Sequence, residues 1–258
     1  IRELKLEAPG SEMTFNGSAF NVIPVLFADS ANTQRAELEF AAELQAEELD
    51  IDELLALSPY AEEKQEADSK QEVDSIKSAQ IVTRERLTSY LKGTFDARVE
   101  HFNYGKIEGE TFSGQLKFDN NELLIRGSTY AMQGVIQLDG QLFFEQQPRL
   151  EAKLVCEEID VAEFFRQSNN FGQNVLTSAN VTGKLNTKMI IDAHWDEQGN
   201  FLDDRLHVLA GIGINDGTLQ DFQLLESFST FVKMQDLENI QFVNMKNFLE
   251  VRNRTLFI

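Results

Sequence analysis

The chain has one cysteine, Cys156, in 258 residues. No internal disulfide can staple it, and no cage of thiolates can hold zinc. Only four prolines and one tryptophan, Trp195, occur, so few breakers interrupt long strands or helices. Positive charge is scarce: 23 Lys and Arg face 43 Asp and Glu, a formal net charge of −20. A surface of that sign repels phosphate backbones, which argues against nucleic-acid binding. No apolar run of 18 residues and no signal-peptide pattern occurs, and the chain starts at Ile1 without a methionine. The sequence therefore reads as a segment of a longer protein, with any membrane anchor outside it.

Catalytic signatures are absent too. No GxSxG, HExxH, Walker loop or dinucleotide fingerprint appears, and no spacing pairs a nucleophile with a base and an orienting third group. The three histidines, His101, His194 and His207, stand alone and read as surface or structural residues. Of 25 aromatics, 20 are Phe, which lacks the polar edge that sugar-stacking platforms use. The expectation is a non-enzymatic protein with no cofactor and no metal.

What the chain does have is alternation. In "ANVTGKLNTKMIIDAHW", Leu185, Thr187, Met189, Ile191, Ala193 and Trp195 alternate with Lys184, Asn186, Lys188, Ile190, Asp192 and His194. Side chains on a strand point to opposite faces in turn, so this is a ribbon with one oily and one wetted face. The same period marks Phe95, Ala97 and Val99; Phe112, Leu116 and Phe118; Ile136, Leu138, Leu142 and Phe144; and Leu206, Val208, Ala210, Ile212 and Ile214. Turn residues such as "DNN", "DEQGN" and "NDG" separate the runs. The pattern predicts a mostly β fold, an elongated antiparallel meander with a few short amphipathic helices.

The chain also repeats itself at an offset of 110 residues. Between 14–55 and 124–165 an ungapped comparison gives ten identities, Gly17/Gly127, Asp29/Asp139, Glu47/Glu157, Asp50/Asp160 and Glu53/Glu163 among them. In each copy a strand (Phe40, Ala42, Leu44, Ala46; Leu150, Ala152, Leu154, Cys156) precedes a switch to helical spacing in "LDIDELLAL" and "IDVAEFFRQ". Paired carboxylates at Asp50/Glu53 and Asp160/Glu163 could suggest a metal or acid–base pair, but their spacing is that of a helix capping box, and we read them as caps. The expected organisation is a first β repeat over 1–57, an acidic, mobile loop over 58–77, a second β repeat over 78–178, and a C-terminal region over 179–258.

That last region, with "GIGINDGTLQDFQLLESFSTF" followed by "DLENIQFVNMKNFLEVRNRTLFI", resembles the C-terminal region of AsmA-like proteins. It has a strand ending in an Asp-Gly turn, an amphipathic helix led in by Phe222 and Leu225, an L-x-N-I-x-F strand and a hairpin partner. "LEAKLVCEEIDVAEFF" and "GKLNTKMIIDAHW" are also similar to that family, in the manner of its members from Bacteroidetes. The family continues past the final strand, so its C-terminal module is incomplete here.

The resemblance implies a periplasmic protein of a Gram-negative envelope, held to the inner membrane by a segment not present here. Its relatives would be TamB and, more distantly, the chorein-like bridge proteins. It also implies a curved sheet, or gutter, whose apolar concave face carries phospholipid acyl chains between membranes in support of outer-membrane biogenesis. On the phase of alternation, Phe95, Ala97, Val99, Leu116, Phe118, Ile136, Leu138, Leu185, Met189 and Ile191 are the expected lipid-binding wall. The two repeat helices would close its ends or pack on its rim. Periodicity is the same whether protein or lipid covers an apolar face, so a closed sandwich or barrel, serving as a structural or adhesin-like interaction module, is the alternative.

Overall fold

The computed structural model describes residues 4–8, 11–22, 37–56, 91–221 and 239–258. Their strands are β1 (Leu4–Ala8), β2 (Ser11–Phe20), β3 (Leu38–Asp50), β4 (Leu91–Tyr104), β5 (Ile107–Asp119), β6 (Glu122–Ala131), β7 (Gly134–Phe143), β8 (Arg149–Asp160), β9 (Val181–His194), β10 (His207–Gln220), β11 (Asn239–Arg252) and β12 (Thr255–Phe257). All twelve lie in one open sheet whose spatial order is the chain order. At about 4.8 Å between strands the sheet extends for about 50 Å. Among the described residues the α-helices are α1 (Ile51–Ala56) and α2 (Val161–Gln167).

Every neighbouring pair is antiparallel except β3 and β4, which run parallel with Leu38 opposite Leu91. The expected meander is thus broken once. The connection from Asp50 to Leu91 is long enough to return the chain to the end it started from, which a hairpin turn cannot do.

Directly paired residues share a face, so the registers carry one face across the sheet. Ala42 pairs with Phe95, Phe95 with Leu116, Leu116 with Ile125, Ile125 with Gly140, Gly140 with Ala152, Ala152 with Ile191 and Ile191 with Val208. The neighbouring row runs Leu44, Ala97, Gly114, Gly127, Leu138, Leu154, Met189, Ala210 and Leu249. Not one ionisable side chain interrupts either row. The residues between them, Glu43, Asp96, Gln115, Arg126, Asp139, Lys153 and Ile190, occupy the other face.

The alternation slips once in several strands, at the same height. In β3, Ala46 and Leu49 are buried while Glu47 and Glu48 are exposed; in β8, Cys156 and Ile159 are buried while Glu157 and Glu158 are exposed. Glu100 with His101, and Glu110 with Thr111, continue the pattern in β4 and β5. Register shifts accompany it between Glu110 and Ser113, Cys156 and Ile159, and Asn215 and Thr218. Thr111, Glu158 and Asp216 adopt positive φ there, at 50°, 56° and 48°. These are bulges in line, a crease that bends each strand and restores the apolar residues beyond it to the same face.

Both helices begin just past this crease, so the strand-to-helix part of the duplication recurs in structure, whereas the pairing differs: β2 lies directly against β3, but β7 separates β6 from β8. Asp50 Oδ1 accepts the Glu53 N–H at 3.0 Å, and Asp160 Oδ1 accepts the Glu163 N–H at 2.9 Å. The reciprocal half of each expected capping box is missing. The Asp50 N–H is taken by Ser11 Oγ and the Asp160 N–H by the Met132 carbonyl, which leaves Glu163 to pair with Arg166 at 2.7 Å. The strands also run four residues further than the alternation alone suggests, through the bulges to the caps themselves. The expected loop at 58–77 and the helix at Phe222 and Leu225 lie outside the described residues.

Candidate functional site

The apolar wall is built by phase. Among the described residues the helices sit at only one end of the strands, leaving two zones. At the helix-bearing rim the face is sealed: Ala131, Met132, Cys156, Ile159, Val161, Val181 and Leu185 form one core, on which Phe164, Phe165 and Leu176 pack. Met13, Ala46, Leu49 and Val99 form a second, closed by Ile51, Phe102 and Phe112. From the crease to the opposite rim, most of the large side chains are half-buried by their neighbours in the sheet, with Leu123, Ala152, Ala193 and Ala210 buried among them.

All ten residues expected on the wall lie on this one face, though they do not share one environment. Phe95, Leu116, Phe118, Leu138, Met189 and Ile191 are half-buried in the open zone, with Ala97 recessed among them at 8% exposure. Val99, at 3%, and Leu185, at 9%, belong to the sealed cores; Ile136 stands at the boundary, packed against the larger one. The correction follows from the helices: α1 and α2 cover the residues nearest their own strands' ends. Trp195, expected on the same face, lies beyond the end of β9, in an isolated bridge to Phe201 with ring centroids 5.7 Å apart.

Sequence reasoning missed several members of the wall. Phe40 and Leu150 were read as strand residues without a role, yet both face it. Ile125 was obscured because Leu123, Leu124 and Ile125 form an unbroken apolar run; Leu123 and Ile125 face the wall while Leu124 points away. Only the register with Phe118 and Leu116 reveals the phase.

Glycine and phenylalanine shape the floor together. A Cβ on Gly114 would sit 2.6 Å from the Phe112 ring, and one on Gly217 would sit 2.0 Å from the Phe242 ring. The rings lie over the space those glycines leave, which protects a bare stretch of strand.

The opposite face is polar and held by cross-strand pairs. Arg98 meets Glu43 at 2.9 Å, Arg126 meets Asp139 at 3.4 Å, and the amides of Gln115 and Gln141 donate to Asp96 and Glu122 at 2.8 and 3.0 Å. Exposed pairs of this kind contribute at most about 1 kcal/mol each, but they fix which side faces water. An apolar hollow of about 620 Å³, lined by Ile190, Leu209, Phe248, Phe257 and Ile258, interrupts this face.

Little on the wall can do chemistry. The Cys156 thiol is buried, and burial pushes its pKa up, away from the reactive thiolate. Thr187, 5% exposed, has a hydroxyl oxygen with no partner. Among the described residues no group of His, Cys, Asp and Glu could hold a metal ion. His207 faces Glu250 at 3.1 Å and His194 faces Asp192 at 3.1 Å, both away from the wall. No described helix is long and apolar enough to cross a membrane. No family model, curated protein or solved structure matches the chain.

Proposed function

We propose that this chain is a non-enzymatic lipid-binding segment of a Gram-negative envelope protein, with phospholipid acyl chains lying against its apolar wall during movement between the inner and outer membranes. The observation that carries the reading is the uninterrupted register of apolar side chains from β3 to β10, on a sheet whose other face is charged. Each acyl methylene removed from water contributes about 0.8 kcal/mol, so even a shallow trough retains a tail while the headgroup stays solvated. A periplasmic location, with an inner-membrane anchor on another segment, follows from the resemblance to AsmA-like proteins and belongs to the same proposal.

A second reading, a structural or protein-interaction module, draws its support from the outer hollow around Leu209 and Phe248, which is exposed by 44% and 80% at those residues. A partner protein there would leave the wall unused.

Photo-crosslinkers placed at Leu116 and Met189 in cells separate the two. Phospholipid capture at these positions, well above that at Gln115 and Lys188 on the other face, is the expected result. Equal labelling on both faces rejects the lipid reading.

A further inference from the structure

The two rims of the wall differ in two independent ways, and both point to one orientation of a bound lipid. Resting on the lipid-binding reading above, we infer that phospholipids stand along the strands, with their tail ends toward the crease and the helices and their headgroups at the opposite rim.

The first difference is closure. At the helix-bearing rim the face is filled by protein: Ile159 is 1% exposed, and Phe164 and Phe165 pack over its core. A tail cannot leave that way. From Leu150 near the open rim to Cys156 at the sealed core are six residue steps on β8, about 20 Å at about 3.3 Å per residue. One leaflet of a bilayer's hydrocarbon is about 15 Å deep. The open part of each strand is thus about as long as a tail in its leaflet.

The second difference is charge. The crease exposes Glu47, Glu48, Glu100, Glu110, Glu157 and Glu158, with no Lys or Arg in the bulges themselves. The cations nearest it are engaged: Arg166 holds Glu163 at 2.7 Å, Lys184 lies 3.6 Å from Asp160, and Lys106 donates to Asn169. A phosphate at this rim meets carboxylates on β3, β4, β5 and β8, with only the uncharged Tyr130 and Val135 between them on β6 and β7. The cations of the opposite rim are engaged as well, Arg149 with Glu151, Arg252 with Glu250, Arg254 with Asp203 and Arg205 with Gln147, but there, with Lys92, they stand in place among the carboxylates and the rim mixes signs. An anionic headgroup is repelled from the first rim and tolerated at the second.

Lipids in this posture move sideways, from strand to strand, and keep their headgroups on one side throughout. A lipid lying lengthwise along the sheet would show no such polarity.

The test uses the unaltered protein and two phosphatidylglycerol probes, one with a photoreactive diazirine near the end of an acyl chain and one with it in the headgroup. After loading from vesicles and illumination, peptide mass spectrometry locates the adducts. The tail-end probe is expected to label the residues around Ile136 and Met189 at least about fivefold more than those around Leu142 and Leu150, and the headgroup probe to show the reverse preference. Wall labelling by both probes without that split, or with the split inverted, overturns the orientation and leaves lipid binding standing. Absence of wall labelling by either probe removes lipid binding itself, and the orientation with it.

Discussion

The rings of Phe40 and Phe118 meet with centroids 5.6 Å apart, although their strands are separated by β4. They reach each other because the residue between them, paired with both, is Gly93. A Cβ on Gly93 would stand 2.1 Å from the Phe40 carbonyl oxygen and 2.7 Å from its ring, and one of those contacts is backbone that cannot swing aside. Gly93→Val is therefore expected to destabilise the protein by about 1–3 kcal/mol through overpacking. Gly213→Ala, whose nearest contact would be 3.8 Å away, serves as the control, and urea midpoints report both.

The β6–β7 hairpin turns on Met132 and Gln133, with φ of 51° and 61°. Left-handed backbone costs a side-chain-bearing residue about 1–2 kcal/mol, partly offset against glycine's larger entropy loss on folding. Met132 is buried in the core under α2, whereas Gln133 is exposed, so only the latter is free to change. Gln133→Gly is expected to raise the urea midpoint, by about 0.5–1 kcal/mol in stability. An unchanged or lower midpoint would argue against a strained turn.

Asp50 and Asp160 perform the same task five strands apart. Replacing either by Ala removes one cap bond and should cost about 1 kcal/mol. Sites so far apart with no shared partner add within about 0.5 kcal/mol, so the double variant should lose about twice as much. A markedly larger loss in chemical denaturation would mean that the two copies of the repeat are coupled.

Arg166 donates to Glu163 and holds its carboxyl below the ordinary glutamate range. A depressed folded pKa gives stability that is present above the unfolded value, about 4.3, and lost as pH falls through the folded value. Arg166→Met should therefore melt below the wild type at pH 7, and the gap should close on acidification below about pH 4. Thermal melts across that range check the sign; a gap that persists unchanged in acid would assign the effect to lost packing instead.

The phase of the strands was legible from sequence wherever apolar residues alternated cleanly: the ten residues chosen on periodicity alone share one face. Two kinds of information were not local. Register decides which face a run such as Leu123–Leu124–Ile125 presents, and that depends on a partner strand. The parallel pairing of β3 with β4 depends on where a long connection returns. The crease is a different case, because its signal was present and went unread: "EE" before Leu49 and again before Ile159 places two adjacent acids where alternation allows one. The helices seal Val99 and Leu185 for the same reason, since the chain turns over the ends of β3 and β8 just beyond those acids.

Because strand order is chain order, no distant pairing has to be renegotiated when the molecule changes size. A hairpin copied into the middle would lengthen the structure by its own width of about 10 Å and leave every other ladder as it was, much as a fence grows by adding panels. Reach, for a protein of this design, is a quantity that gene duplication can adjust directly.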